Sequence, residues 1–228
     1  MHNTIISEAA LATDQRIRGE RAPLPLVPSK TAHVIVDLQV GFMAPGSVAE
    51  TPMNHQIMPN VNRISAAVRD AGALNVFIRF TYDPEWKAFF GRFAPGRAEA
   101  LGAAFSEGAE QHALWPDMDV QPGDLILDKT RFSAMIPGTC DLDAELKARG
   151  IDTLIVTGCV TNCCCESTIR DAMQMNYNIV LVQDGNAAAS DADHNGAIAD
   201  LYGLFGCDVL SADEVVSKLR AAMADEAA

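Results

Sequence analysis

The 228-residue chain predicts an α/β fold in which a mostly parallel sheet is covered by helices on both faces. Two observations carry this expectation. Short apolar runs without polar alternation recur along the chain and read as strands buried on both sides, and between them lie stretches with helical apolar spacing. Composition agrees, since 49% apolar and 21% charged residues describe an ordinary soluble domain long enough to close one core. The expected layout is an N-terminal arm, residues 1–28, followed by a single domain, residues 29–228.

The elements follow in order. The arm ends in a Pro-rich stretch (Pro23, Pro25, Pro28) and is expected to pack on the body or on a neighbouring subunit. His33 to Leu38 is the first apolar run, and Gln56 to Ala71 has helical spacing through Ile57, Val61, Ile64 and Val68. Leu74 to Phe80 and Leu125 to Lys129 are the second and third strands. A helix is expected from Asp141 to Arg149, stopped by Gly150. Asp152 to Val156 and Asn178 to Val182 are the fourth and fifth strands, with a helix-like stretch from Ser167 to Met175 between them. A helix over Ala192 to Phe205 leads to a short sixth strand, Asp208 to Leu210. The last helix, Ala212 to Met223, opens with Ser211 as N-cap. Residues 81–116 resist the scheme. They hold Tyr82, Trp86, Phe89, Phe90, Phe93 and Trp115 and read either as a lid or as aromatics packed against the core or a dimer partner.

Formal net charge is −13, which argues against a nucleic-acid or anionic-membrane surface. His2 to Val27 lacks a continuous apolar stretch and is expected to be neither a secretory signal nor a membrane span. Six cysteines, three of them consecutive, do not resemble a disulfide framework and point to a reducing, cytoplasmic setting.

Chemistry concentrates at strand ends, where open parallel sheets form their sites. The stretch Thr157 to Thr168 follows the apolar run Leu154-Ile155-Val156 and contains Cys163, Cys164 and Cys165. A thiol at a strand-to-helix turn meets free backbone amides and the positive end of the helix dipole, both of which stabilise a thiolate. Asp37 closes Val34-Ile35-Val36, and Lys129 closes the third strand. A carboxylate can take the thiol's proton and return it to a leaving group, and a lysine favours the ionised form of both. Consecutive cysteines cannot share one tetrahedral ion, and no second Cys or His pair has zinc spacing. Asp191 to Gly196 imitates a calcium loop, but Tyr202 stands where that loop needs Glu, so a capped helix start is expected. Neither a Gly-x-Gly-x-x-Gly nor a P-loop is present. No metal or cofactor is expected.

The chain resembles the isochorismatase-like cysteine hydrolases over roughly residues 30 to 212. The resemblance rests on Val36-Asp37-Leu38-Gln39-Val40-Gly41-Phe42, on Asp128-Lys129-Thr130-Arg131-Phe132-Ser133, and on Gly158 through Thr168 with Arg170-Asp171-Ala172. It implies a three-layer, Rossmann-like fold with a six-stranded, mostly parallel sheet, and an Asp–Lys–Cys triad at Asp37, Lys129 and Cys164. It also implies a cis peptide at Cys159–Val160 and an oxyanion hole from the Val160 and Cys164 amides. Family members usually carry one cysteine at the turn, whereas three adjoin here. Register selects Cys164, six residues after Gly158 and four before Thr168. A helix begun at Asn162 would place Cys165 on the buried stripe with Ile169, Ala172 and Met173, leaving Cys163 as a pocket wall or interface residue.

The resemblance lies closest to the ureidoacrylate amidohydrolase branch and implies a metal-free hydrolase of C–N bonds in small linear amides or N-carbamoyl compounds. The Asp-x-His metal motif of the family's nicotinamidases has no counterpart, since Phe80 to Glu99 contains no histidine. Vinyl-ether hydrolysis of isochorismate, or a non-catalytic or redox module on the same scaffold, are the competing readings. Gln39, Phe42, Tyr82, Trp86, Arg131, Phe132 and Asn162 are the candidate pocket residues by position. Arg131 is suited either to a bidentate pair with a substrate carboxylate or to a surface salt bridge. The expected partner is a small-molecule substrate, with no nucleic acid and no membrane, in a homodimer or homotetramer.

Overall fold

In the computed structural model, which describes residues 1–226, six strands form one parallel sheet. They are β1 (Thr31–Val36), β2 (Leu74–Phe80), β3 (Leu125–Lys129), β4 (Thr153–Cys159), β5 (Asn178–Ala187) and β6 (Asp208–Leu210), in the order β3-β2-β1-β4-β5-β6. The helices are α1 (Glu8–Arg18), α2 (Val40–Met43), α3 (Asn54–Asp70), α4 (Lys87–Phe90), α5 (Arg97–Phe105), α6 (Leu142–Ala148), α7 (Glu166–Gln174), α8 (Asp191–Asp200) and α9 (Ala212–Glu226).

Alternation along each strand separates the two helical layers. Val34, Val36, Val76, Ile78, Leu154 and Val156 join Leu142, Leu146, Ile169, Ala172 and Ile198, so α6, α7 and α8 cover that face. On the other face, Ile155, Val180 and Val182 meet Ile64, Val68, Val215 and Leu219 from α3 and α9. Ile35 and Phe77 bury against Ile57 and Val61 of α3. Every residue of β1 is buried, as a central strand covered on both sides requires.

The first thirty residues lie on the body. Ser7 caps α1 by accepting from the Ala10 amide at 3.2 Å. Arg18 donates to the Gly203 carbonyl at 3.0 Å, and His2 is hydrogen-bonded to Asp191 at 2.7 Å while accepting from the Ala188 amide at 3.0 Å. Residues 81–116 carry α4, α5 and a 3-10 turn over Glu110–His112. They pack on their own chain: the Val40 amide donates to Ala113 at 2.9 Å and the Trp115 amide to Leu38 at 2.9 Å. No helix of the described residues is long and apolar enough to cross a membrane.

Several sequence expectations need correction. The first strand starts at Thr31 and stops at Val36, because Asp37 turns to φ 55°. β4 runs on to Cys159 and β5 to Ala187. Helix over Phe205 is in fact α8 plus a π-helical turn, Leu201–Phe205. A second π-helical turn, Thr161–Cys165, precedes α7, which starts at Glu166.

Candidate active site

The order β3-β2-β1-β4 brings the carboxyl ends of four strands together, with the chain diverging between β1 and β4. Those two strands close up because residue 158 is glycine. A Cβ there would stand 2.1 Å from the Val36 carbonyl oxygen, and Gly158 has φ 122°. Val36 and Gly158 are register partners, so Asp37 projects beside the turn that leaves β4. Asp37 itself sits at φ 55°, a region a side chain occupies only when its surroundings hold it. Its amide donates to Ile78 at 3.0 Å, and its carbonyl accepts from Gln39 at 2.9 Å and from the Cys159 thiol at 3.3 Å.

Lys129 ends β3, two strands from β1 and hence about 10 Å away. Only a long side chain covers that gap. It crosses the Phe80 ring, 5.2 Å from its centroid, and places Nζ 2.8 Å from Asp37 Oδ2. Nζ also donates to the Arg131 carbonyl at 3.1 Å. Both partners are fully buried. The Cys164 thiol, on the π-helical turn, contacts both Asp37 and Lys129. The turn is fixed by Thr168, whose hydroxyl donates to the Cys164 carbonyl at 2.8 Å and accepts from the Ala134 amide at 3.1 Å. The three reactive groups therefore meet at one point.

Burial decides their proton affinities. It raises Asp37 above the usual carboxylate range, against the opposing charge of Lys129. Burial alone would lower Lys129, but Asp37 and Cys164 outweigh it and hold the ammonium charged. The Lys129 ammonium is the close cation on the Asp37 carboxylate, with the Cys164 thiol and the Phe80 amide also beside it. Contact with Cys163 and burial hold the Cys164 thiol well above its ordinary value, while that same contact holds Cys163 below it. Cys163 faces Asp37 and Lys129 only through longer-range charge. Cys165 is sealed in the core with Ile169 and Ala172.

A cavity of about 150 Å³ opens over Cys164, lined by Phe42, Phe132, Val160, Cys163 and a wall from residues 80–105. Of the sequence-selected pocket residues, Phe42 and Phe132 line it. The others do different work. Gln39 accepts from the Phe80 amide at 2.7 Å and donates to the Phe80 and His112 carbonyls at 3.0 and 2.8 Å, stapling two segments together. Tyr82 packs on Phe90, and Trp86 stacks on Phe89 from behind the wall. Arg131 donates to Asp83 Oδ2 at 2.8 Å and lies over the Trp86 ring, so its charge is engaged away from the cavity. Asn162 is exposed. The sequence reading missed Phe80, Phe89, Phe90, Phe93, Leu101 and Phe105 as lining residues. Wider hollows of about 500 and 550 Å³ lie near Asp14 and Arg63 and contain none of the reactive groups.

The peptide between Cys159 and Val160 is cis. Among the described residues no acceptor in the protein takes the Val160 amide, and no group of three His, Cys, Asp or Glu side chains is placed to hold a metal ion. The calcium-like stretch is a helix start, with Ser190 accepting from the Asp193 amide at 3.1 Å.

Comparison with known proteins identifies the family and the fold. The isochorismatase domain matches residues 31–214. Ureidoacrylate amidohydrolase RutB of Variovorax paradoxus (strain S110) is 32% identical over 208 residues, covering 80% of this chain and 82% of the relative. Its counterpart from Pseudomonas savastanoi pv. phaseolicola is 29% identical over 202 residues, covering 81% of this chain and 82% of its own. A crystal structure of a cysteine hydrolase from Pseudomonas syringae pv. phaseolicola 1448A superposes with a TM-score of 0.79 at 25% identity, covering 89% of this chain and 98% of that one. The N-carbamoylsarcosine amidase of Thermoplasma acidophilum shares the fold, with a TM-score of 0.67 at 24% identity over 81% of this chain and 97% of its own. The chain belongs to the isochorismatase family.

Proposed function

We propose that this member of the isochorismatase family is a cysteine-dependent amidohydrolase that cleaves a C–N bond of a small linear amide or ureido compound. The observation that carries the reading is a thiol in contact with a buried Asp37–Lys129 pair, at the mouth of a cavity sized for a small molecule. The 32% identity to an amidohydrolase acting on ureidoacrylate supports the same chemistry.

Cys164 Sγ attacks the substrate carbonyl as its proton passes to Asp37, whose raised proton affinity suits it to accept one. The oxyanion of the tetrahedral intermediate is received by the Val160 and Cys164 amides, a contribution often worth roughly 3–4 kcal/mol per donor. Asp37 then protonates the departing nitrogen, leaving a thioester or, from a ureido substrate, a thiocarbamate. Water attacks next, giving its proton to Asp37, and the acid leaves as Cys164 is restored. Lys129 holds Asp37 in place and favours its ionised form. Cys163 lines the same cavity but makes no hydrogen bond with Asp37, the acid that would protonate a leaving group. An ammonia-release assay tests the reading: Cys164→Ala and Cys164→Ser should abolish release while circular dichroism stays native. Sustained turnover by either variant would refute it.

Three adjoining thiols need a reducing compartment to stay free, which supports a cytoplasmic setting. Ile5, Leu11 and Ile17 near the N-terminus, with Leu204, are exposed and support assembly through that face into a homodimer or homotetramer. Light scattering should return a dimer or tetramer mass, and a monomer at micromolar concentration would remove that part.

A further inference from the structure

Seven of the nine phenylalanines of this chain line the single cavity over Cys164. Phe42 comes from α2, Phe80 from the end of β2, Phe132 from the segment after β3, and the other four from residues 89–105. Leu101 and Val160 complete the wall, and the only heteroatoms among the lining side chains are the sulfurs of Cys163 and Cys164. No Lys, Arg or His lines it. The nearby cations are engaged elsewhere: Lys129 with Asp37, Arg131 with Asp83 and the Trp86 face, Lys87 with Glu85 at the surface, and Arg97 with the Val48 carbonyl. Arg92 is exposed. Gly41 adds to the enclosure, because a Cβ there would collide with the Phe105 ring at 2.6 Å.

A carboxylate in such a cavity would lose its water and gain no partner, a penalty that apolar contact cannot offset. An uncharged ring would instead exchange water for edge and face contacts with aromatic side chains. An apolar cavity of about 150 Å³ holds one benzene-sized group. We infer that the substrate is an uncharged primary amide or monosubstituted urea whose non-reacting side is a single apolar group of about one ring, seated among Phe42, Phe89, Phe93 and Phe132 with its carbonyl at Cys164. This inference rests on the amidohydrolase reading for its chemistry and on the cavity for its selectivity. It separates this chain from relatives that act on ureidoacrylate, whose substrate carries a carboxylate. The overall step is R–CO–NH₂ + H₂O → R–COO⁻ + NH₄⁺. The anion so formed is poorly matched to the phenylalanine wall, which favours its release.

The test uses three compounds of one shape: benzamide, 4-nitrobenzamide as a neutral size control, and 4-carbamoylbenzoate as the charged isostere. Binding to the Cys164→Ala protein is measured by calorimetry and ammonia release by the wild type. The expected result is binding and turnover of both neutral amides, with 4-nitrobenzamide favoured over 4-carbamoylbenzoate by at least about 100-fold. Equal or tighter binding of the carboxylate overturns the inference, and so does failure of all three to bind. Preferential binding of the neutral amides to Cys164→Ala without ammonia release by the wild type would leave the cavity assignment standing and remove the amidohydrolase reading. A Phe93→Arg variant supplies the missing cation and should narrow or reverse the preference; an unchanged ratio counts against the assigned seat.

Discussion

Two buried polar clusters lie four residues apart, one on strand β1 and one just past its end, and they are built on opposite plans. His33 is hydrogen-bonded to Thr157 at 2.8 Å, to Asn75 at 3.2 Å and to Ser65 at 3.3 Å, and Asn75 in turn donates to the Ser65 carbonyl at 3.0 Å. Every polar atom of that imidazole has a partner, and burial pushes its pKa down to about 3, so it stays neutral. Asp37, just past the end of the same strand, is a buried acid paired with Lys129 at 2.8 Å and touched by the Cys164 thiol. A satisfied cluster joins strands β1, β2 and β4 to α3. An incompletely satisfied one stores reactivity at the strand ends. The difference separates a polar residue that stabilises the fold from one that waits for a substrate.

The largest expected effect lies at the reactive cluster. Cys164→Ser should lower kcat/KM by at least about 1,000-fold, whereas Cys163→Ser, outside the contact with Asp37, should stay within about tenfold of wild type. Parity between the two variants would erase the distinction drawn here between the adjoining thiols. Lys129→Met leaves the Asp37 carboxylate buried and unpaired, and chemical denaturation should register a loss of about 3–5 kcal/mol. Asp37→Asn combined with Lys129→Met removes both charges and should recover part of that stability while remaining inactive. If the double variant is no more stable than Lys129→Met, the buried charge is not the source of the loss.

Thr157→Val strips a partner from His33 and should cost about 1–3 kcal/mol with kcat unchanged. A matching fall in kcat would mean that the two clusters are coupled. The acid limb of the activity profile offers a finer comparison. Asp37 must be ionised to accept a proton, and burial raises its pKa, so activity should fall at a higher pH than for a solvent-exposed carboxylate. Lys129 opposes that rise, so residual activity in Lys129→Gln should fall away at a pH higher still. A limb that does not move would show that Lys129 leaves the ionisation of Asp37 untouched.

The smallest effect concerns stability against pH. His33 and His194 are pushed down from 6.5 to about 3 and about 4 by burial. Below pH 6.5 the unfolded chain binds protons that these folded imidazoles refuse, so stability is full above that pH and declines as pH falls. The slope is about 1.4 kcal/mol per pH unit for each histidine, ending near 4 for His194 and near 3 for His33. His194→Gln should flatten the decline by one proton's share in urea melts at pH 4.5 and 7. An unaltered slope would show that His194 titrates normally.

The parts legible in the sequence are those where chemistry and local pattern coincide. The limits of β2, β3 and β6 follow from apolar runs ended by polar or turn residues; Asp37 follows β1, Lys129 ends β3, and Cys164 lies in the turn after β4. β5 extends five residues beyond the expected Val182, through Gln183, Asp184, Gly185 and Asn186, which have the composition of a loop. Asn186 continues the sheet by donating its side-chain amide to Val156 at 2.9 Å and Val182 at 2.7 Å, which no periodicity reveals. Apolarity alone extends β1 to Leu38, yet the left-handed turn at Asp37 ends the strand first. The cavity was hidden for a different reason. Its wall draws on residues 42, 80, 132 and 160 and on an irregular segment whose phenylalanines meet only through tertiary packing. The clustering of Phe89, Phe90, Phe93 and Phe105 within residues 81–116 is the one available signal. Arg131 misled because its position matched a carboxylate-binding role, while its neighbour in space, Asp83, lies 48 residues earlier.

The central claim is that the sulfur of residue 164, served by Asp37, carries the bond-forming step. Mass spectrometry of wild-type protein quenched during turnover, with fragment ions that separate the three adjoining cysteines, addresses it directly. The acyl or carbamoyl increment should fall on Cys164 and be absent from the Cys164→Ala protein. An increment on Cys163 or Cys165, or steady ammonia release by Cys164→Ala, would contradict it.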